Sequence, residues 1–158
     1  LDVMVRAPLP VIFDGSGRTP PGSQVYDRTG RGALVFAGAD IPISRRRAFE
    51  AHGVAVEIVE TDRQGRIDIS AALASLARRD VMMLMVEGGG ALLGAFLDAD
   101  AIDELHLYVA PIVLGGGLSA FSGTGVGRIA DAKQFDFARP QPVGRDFVVR
   151  GARRRGAA

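Results

Sequence analysis

Glu87 stands directly before three consecutive glycines, Gly88, Gly89 and Gly90, and an apolar run at helical spacing follows from Ala91. Glycine has no Cβ, so the backbone can approach a ligand closely, and the free N–H groups of a helix's first turn attract an anion along with the helix dipole. Such a turn suits a nucleotide diphosphate. The spacing departs from the dinucleotide fingerprint, because Gly94 comes one residue late for G-x-G-x-x-G, and the Lys and Ser/Thr of a P-loop are missing. A tight turn between a buried strand and its crossover helix is the competing reading, although one glycine would suffice for it. Glu87 also reads in two ways. Open α/β sheets bind ligands beyond the carboxyl ends of their strands, where this carboxylate would sit, and an acid near a helix N-terminus also complements the dipole.

The elements around this turn alternate between strand and helix patterns, the signature of an α/β sheet with helical crossovers. Strands are expected at Val11 to Phe13, Ala33 to Gly38, Val54 to Glu60 and Leu105 to Val109. Val81 to Val86, apolar on both faces, reads as the central parallel strand. Ser44 is the expected cap of a basic helix that Gly53 ends, a second helix runs from Ile69 or Ser70 to about Arg79, and a third covers Ala91 to Ala99. Two closing strands, Phe135 to Arg139 and Asp146 to Arg150, joined through PQPVG, imply an antiparallel edge hairpin. Residues 1–150 are expected to form one domain, and 151–158, GARRRGAA, a solvated tail.

Composition narrows the chemistry. At 158 residues and 47% hydrophobic the chain fits one domain of the usual ~100 to 200 residues. Nineteen basic residues against eighteen acidic ones leave a charge of +1, too balanced for a nucleic-acid or polybasic membrane surface. There is no cysteine for a disulfide, thiolate metal site or nucleophile, and the two histidines, His52 and His106, are far apart, so no metal is expected. The longest strongly apolar run, six residues, is far short of the ~20 that cross a bilayer, and the chain reads as cytoplasmic.

VEGGGALLGAFLDADAIDELHLYVAPIVLGGG, together with PLPVIFDGSGRTP upstream, closely resembles the reductase domain of bacterial riboflavin biosynthesis, which has a dihydrofolate-reductase-like fold. The likeness lies in the order of an apolar strand, E-G-G, a helix with an aromatic residue, D-E-L, a strand, and A-P followed by leucine and glycine. The resemblance implies a three-layer α/β/α domain with a mixed, mostly parallel sheet, acting as a homodimer. It implies reduction of the ribosyl group of 5-amino-6-(5-phosphoribosylamino)uracil to the ribityl form with hydride from NADPH. Positioning dominates such a reaction, and no nucleophile is expected.

Carried over residue by residue, the resemblance puts Glu87 against the phosphorylated pyrimidine substrate and the run Gly88, Gly89, Gly90, Ala91, Leu92, Leu93, Gly94 and Ala95 around the cofactor. Asp14 and Gly15 match the family's segment along the cofactor, where Ser often stands in place of Gly15. Family members begin with further strands and a segment D-P-x-L-x-x-R, of which LDVMVR resembles the tail, making Leu1 and Arg6 substrate contacts; a charge simply flanking a strand is the other reading of Arg6. The front strands are therefore expected to be missing, and two alternatives stand beside the riboflavin reductase. One is a truncated remnant that binds nucleotide without turnover, the other a dihydrofolate-reductase-like enzyme of different substrate.

Overall fold

The computed structural model describes residues 7–26 and 32–155. Leu1 and Arg6 lie outside the described residues. The chain forms two compact units, one running to Met82 and one beginning at Met83.

The first unit is built on a parallel sheet of β1 (Val11–Phe13), β2 (Ala33–Ala37) and β3 (Val54–Ile58), in that order, with Val11 opposite Leu34 and Ala37 opposite Ile58. Every residue of β2 is buried, as a central strand's continuous apolar run requires. Helix α1 (Ile43–Ala51) crosses over between β2 and β3, and α2 (Ile69–Arg78) follows β3. The core gathers Tyr26, Val35, Ala37, Ile41, Phe49 and Val54, with the Tyr26 and Phe49 rings edge to face at 5.8 Å. Ser44 does not cap α1. Pro42 occupies that position, two residues before the serine, and its carbonyl accepts the N–H groups of Arg45 and Arg46, so the helix begins at Ile43. Gly53 does follow the helix end, at φ +71°. Asp68 caps α2 through Ala71 N–H at 2.8 Å. Glu57 of β3 is tied to that helix by the Ser75 hydroxyl and by Arg79 at 2.6 Å.

The second unit contains α3 (Gly90–Asp98) and an antiparallel sheet of β4 (Glu104–Val109), β5 (Phe135–Phe137), β6 (Gln141–Val143) and β7 (Asp146–Arg153). β7 is its spine. It pairs β4 along one edge, Glu104 with Ala152 through Val109 with Phe147, and β5 and β6 along the other. The PQPVG stretch is therefore no simple connection: its Gln141–Val143 is a strand that turns tightly through Gly144, at φ +62°, into β7. Nor do residues 151–153 belong to a solvated tail. They extend β7, Gly151 is buried, and a Cβ there would come within 2.6 Å of the Phe137 ring. Arg153 bonds Asp100 at 2.9 Å and Arg155 bonds Asp103 at 2.7 Å, which explains why the basic run stays on the sheet.

The α/β class and the antiparallel closing strands are as expected, but the described residues divide the strands into one parallel and one antiparallel sheet. Val81–Val86, which straddles the boundary between the two units, is a strand of neither sheet. It joins no ladder among the described residues, and Met82 and Met83 are 93% and 90% exposed. Apolar composition gives a segment a reason to be buried, but a strand also needs a neighbouring backbone to bond. The central position in a parallel sheet belongs to Ala33–Ala37, which has a partner on each side.

Replacing Phe49, fully buried where the crossover helix meets the sheet, should expose the weight of this core. Phe49→Ala is expected to lower the unfolding free energy by about 3–5 kcal/mol in urea titration; a loss below about 1 kcal/mol would contradict the packing described.

Candidate functional site

In the second unit, the turn Glu87–Gly88–Gly89 leads into α3 with Gly89 as the N-cap, at φ −74° and ψ 167°. Its carbonyl accepts the N–H groups of Leu92 and Leu93 at 3.0 and 3.2 Å, which closes the first turn of the helix. No side chain caps this end, and the N–H groups of Gly90 and Ala91 have no acceptor among the described residues. Two donors at the positive end of a helix dipole thus face outward, and nothing lies within 4 Å of the place where a Gly89 Cβ would be. The donor set and the open flank fit the phosphates of a dinucleotide. Glu87, two residues before the N-cap, is exposed and makes no hydrogen bond or ion pair to a described residue.

The other glycines of the run meet a different constraint. A Cβ on Gly90 would lie 2.3 Å from the Ser119 carbonyl oxygen and 2.7 Å from Ser122 Oγ. On Gly94 it would lie 2.3 Å from the Gly123 nitrogen. Gly90 and Gly94 therefore admit the Ser119–Gly125 loop against one face of α3, whereas Gly89 leaves space. Ser122 N–H donates to the Gly90 carbonyl at 2.8 Å, and Asp98 accepts Thr124 N–H at 2.6 Å and Gly125 N–H at 3.2 Å. The sequence reading missed this loop and Asp98. The available signal was the matched spacing of Gly90, Gly94 and Asp98, four residues apart each time on one helix face, together with the small residues of FSGTG downstream.

Gly15 belongs to the first unit, in the loop after β1. Asp14 before it is 7% exposed and accepts Arg18 N–H at 2.9 Å and Thr19 N–H at 2.7 Å. Burial pushes its carboxyl up, but the backbone donors of Thr19 and Arg18 outweigh burial and hold it below the usual aspartate range. Arg45 of α1 donates to the carbonyls of Gly17, Arg18 and Thr19 at 2.8, 3.1 and 3.2 Å, so both polarities of this loop's backbone are satisfied by charged side chains. A Cβ on Gly15 would stand 2.1 Å from the Gly65 carbonyl oxygen. A serine there would push away the Asp62–Arg66 turn, so glycine is required by packing. The structure thus brings Glu87 and Gly88–Ala95 together in one unit and places Gly15 at the sheet end of the other.

The chain matches the family model described as the RibD C-terminal domain over residues 2–149. It is 33% identical to the riboflavin biosynthesis protein RibD of Bacillus amyloliquefaciens over 147 residues, 92% of this chain and 39% of that protein. It is 28% identical to the 2,5-diamino-6-ribosylamino-4(3H)-pyrimidinone 5′-phosphate reductase of Methanothermobacter thermautotrophicus, over 90% of this chain and 64% of that one. The fold is that of Acinetobacter baumannii RibD, at a TM-score of 0.73 with 23% identity over 91% of this chain and 37% of that one. The chain therefore spans about two fifths of the RibD relatives and somewhat under two thirds of the archaeal reductase.

Because its folded pKa is lowered, Asp14 contributes stability that is full above the unfolded aspartate pKa and is lost as the pH falls through the folded one. Asp14→Ala should cost about 1.5–3 kcal/mol at neutral pH by urea unfolding. The gap between the two proteins should narrow in acid, below the usual aspartate range; a gap that stays constant into that range would contradict the assignment.

Proposed function

Because the chain belongs to the RibD C-terminal domain family, we propose that it is an NADPH-dependent reductase of riboflavin biosynthesis. Its substrate in this reading is 5-amino-6-(5-phosphoribosylamino)uracil, whose ribosyl group becomes the ribityl group. The observation that carries the proposal is the uncapped, open amino end of α3 with Glu87 beside it. Gly88 and Gly89 let a diphosphate approach the backbone, and the N–H groups of Gly90 and Ala91 receive it. Leu92, Leu93 and Ala95, half-buried in α3, and Gly94, seated against the loop, hold that turn in place. NADPH would supply the hydride. Glu87 is an acceptor for donors on the substrate, the hydroxyls of the sugar or the amino groups of the pyrimidine, and orients the reacting carbon.

The relatives' names support the pyrimidine class: one is a reductase of a ribosylaminopyrimidinone 5′-phosphate and another a riboflavin biosynthesis protein. Leu1, Arg6 and Gly15 complete the reading only through the family resemblance, Leu1 and Arg6 toward the substrate and Gly15 toward the cofactor.

Turnover tests the function directly. NADPH absorbance at 340 nm should fall when the deaminated uracil substrate is added, and more slowly or not at all with the diaminopyrimidinone form; binding of NADPH without any turnover would favour the inactive remnant. Two variants test the site. Gly89→Val should weaken NADPH binding at least about tenfold, because its branched side chain fills the open flank. Glu87→Gln should lower kcat/KM for the pyrimidine by about 10–100-fold while leaving NADPH affinity within about twofold; the reverse order would move Glu87 to the cofactor side.

A further inference from the structure

Gly90, Gly94 and Asp98 are each four residues apart and lie on one face of α3, spanning about 12 Å at ~1.5 Å per residue. The Ser119–Gly125 loop runs along this face. At Gly90 and Gly94 it comes so close that no Cβ fits, and at Gly123 a Cβ would in turn meet the Asp98 carboxylate at 2.6 Å. An interior helix glycine such as Gly94 costs ~1 kcal/mol relative to alanine, so the close seat opposes the helix's own preference. Apolar burial does not hold the loop in place, for Leu118 is wholly exposed and Ser119 through Gly125 are exposed apart from half-buried Phe121. Polar bonds do. At its far end Asp98 takes the Thr124 and Gly125 N–H groups, and at its near end Ser122 N–H takes the Gly90 carbonyl.

The near end is the first residue of α3, whose own N–H is one of the two outward-facing donors. We propose that Asp98 is a positioning residue for the cofactor: by clamping the Thr124–Gly125 backbone it keeps Ser122 on Gly90 and fixes the direction of the Gly90 and Ala91 N–H groups. The inference rests on the reading of the α3 amino end as the NADPH diphosphate site. Asp98 touches neither cofactor nor substrate in it. A carboxylate suits the task because it offers two acceptors, and each of the two backbone donors has its own oxygen. Loss of the clamp leaves the donors present but unfixed, so the effect falls on cofactor affinity rather than on the step that follows.

The test compares four variants by NADPH titration and steady-state kinetics on the folded protein, with folding followed by circular dichroism. Asp98→Ala should raise the Kd for NADPH about tenfold, a loss in keeping with hydrogen bonds to a charged group, and leave kcat at saturating NADPH within about twofold. Asp98→Asn, which keeps one acceptor, should fall between Asp98→Ala and the wild type, and it decides the matter where the alanine variant fails to fold. Asp131→Asn, which removes a carboxylate paired only locally with Arg128 at 2.8 Å, should leave the Kd unchanged. If Gly89→Val weakens NADPH binding and neither Asp98 variant does, the positioning role is overturned and the site stands. If Gly89→Val and both Asp98 variants all bind NADPH like the wild type, the site reading fails and the positioning role falls with it.

Discussion

The close seat of a loop backbone on the glycine face of α3 is the constraint on which the second unit's candidate site depends. Backbone can lie on a helix only where side chains are absent, and Gly90 and Gly94 provide that absence at the positions where the Ser119–Gly123 stretch passes. Gly89, one position earlier, has the same freedom and a different use, since its flank is open. Gly89 is thus an open approach, and Gly90 with Gly94 a covered wall. The division follows from helix geometry, because residues four apart share a face and adjacent ones do not.

The first unit satisfies its loop after β1 by a complementary device. Asp14 takes two backbone N–H groups and Arg45 takes three backbone carbonyls, so a stretch with two prolines downstream and little side-chain packing still has defined geometry. Charge-assisted bonds of this kind are stronger than neutral ones, and buried termini of strands need such partners. No side chain has room at Gly15, because the Asp62–Arg66 turn lies against that position.

Much of this was legible in the residues. The apolar runs of β1, β2 and β3, the helix patterns of α1, α2 and α3, and the glycine turn before α3 follow from periodicity and from the freedom of glycine. Partnership was not legible. Val81–Val86 and Ala33–Ala37 are both apolar runs, yet only the second has backbone on either side among the described residues, because hydrophobic content does not specify a ladder partner. Ser44 has the chemistry of a cap but stands two residues after Pro42, which occupies the cap position of α1. Asp98 and the loop it clamps were hidden for a related reason: their bond joins residues 26 positions apart, and neither end has a recognisable local motif.

The central claim is that the amino end of α3 receives the nucleotide's phosphates through backbone N–H groups. Heteronuclear NMR of the ¹⁵N-labelled protein during titration with NADPH reads those groups one by one. The account predicts that the amides of Gly88, Gly89, Gly90 and Ala91 show the largest saturable shifts and that inorganic diphosphate reproduces them in part. Saturable NADPH binding that leaves these four amides unmoved would contradict it.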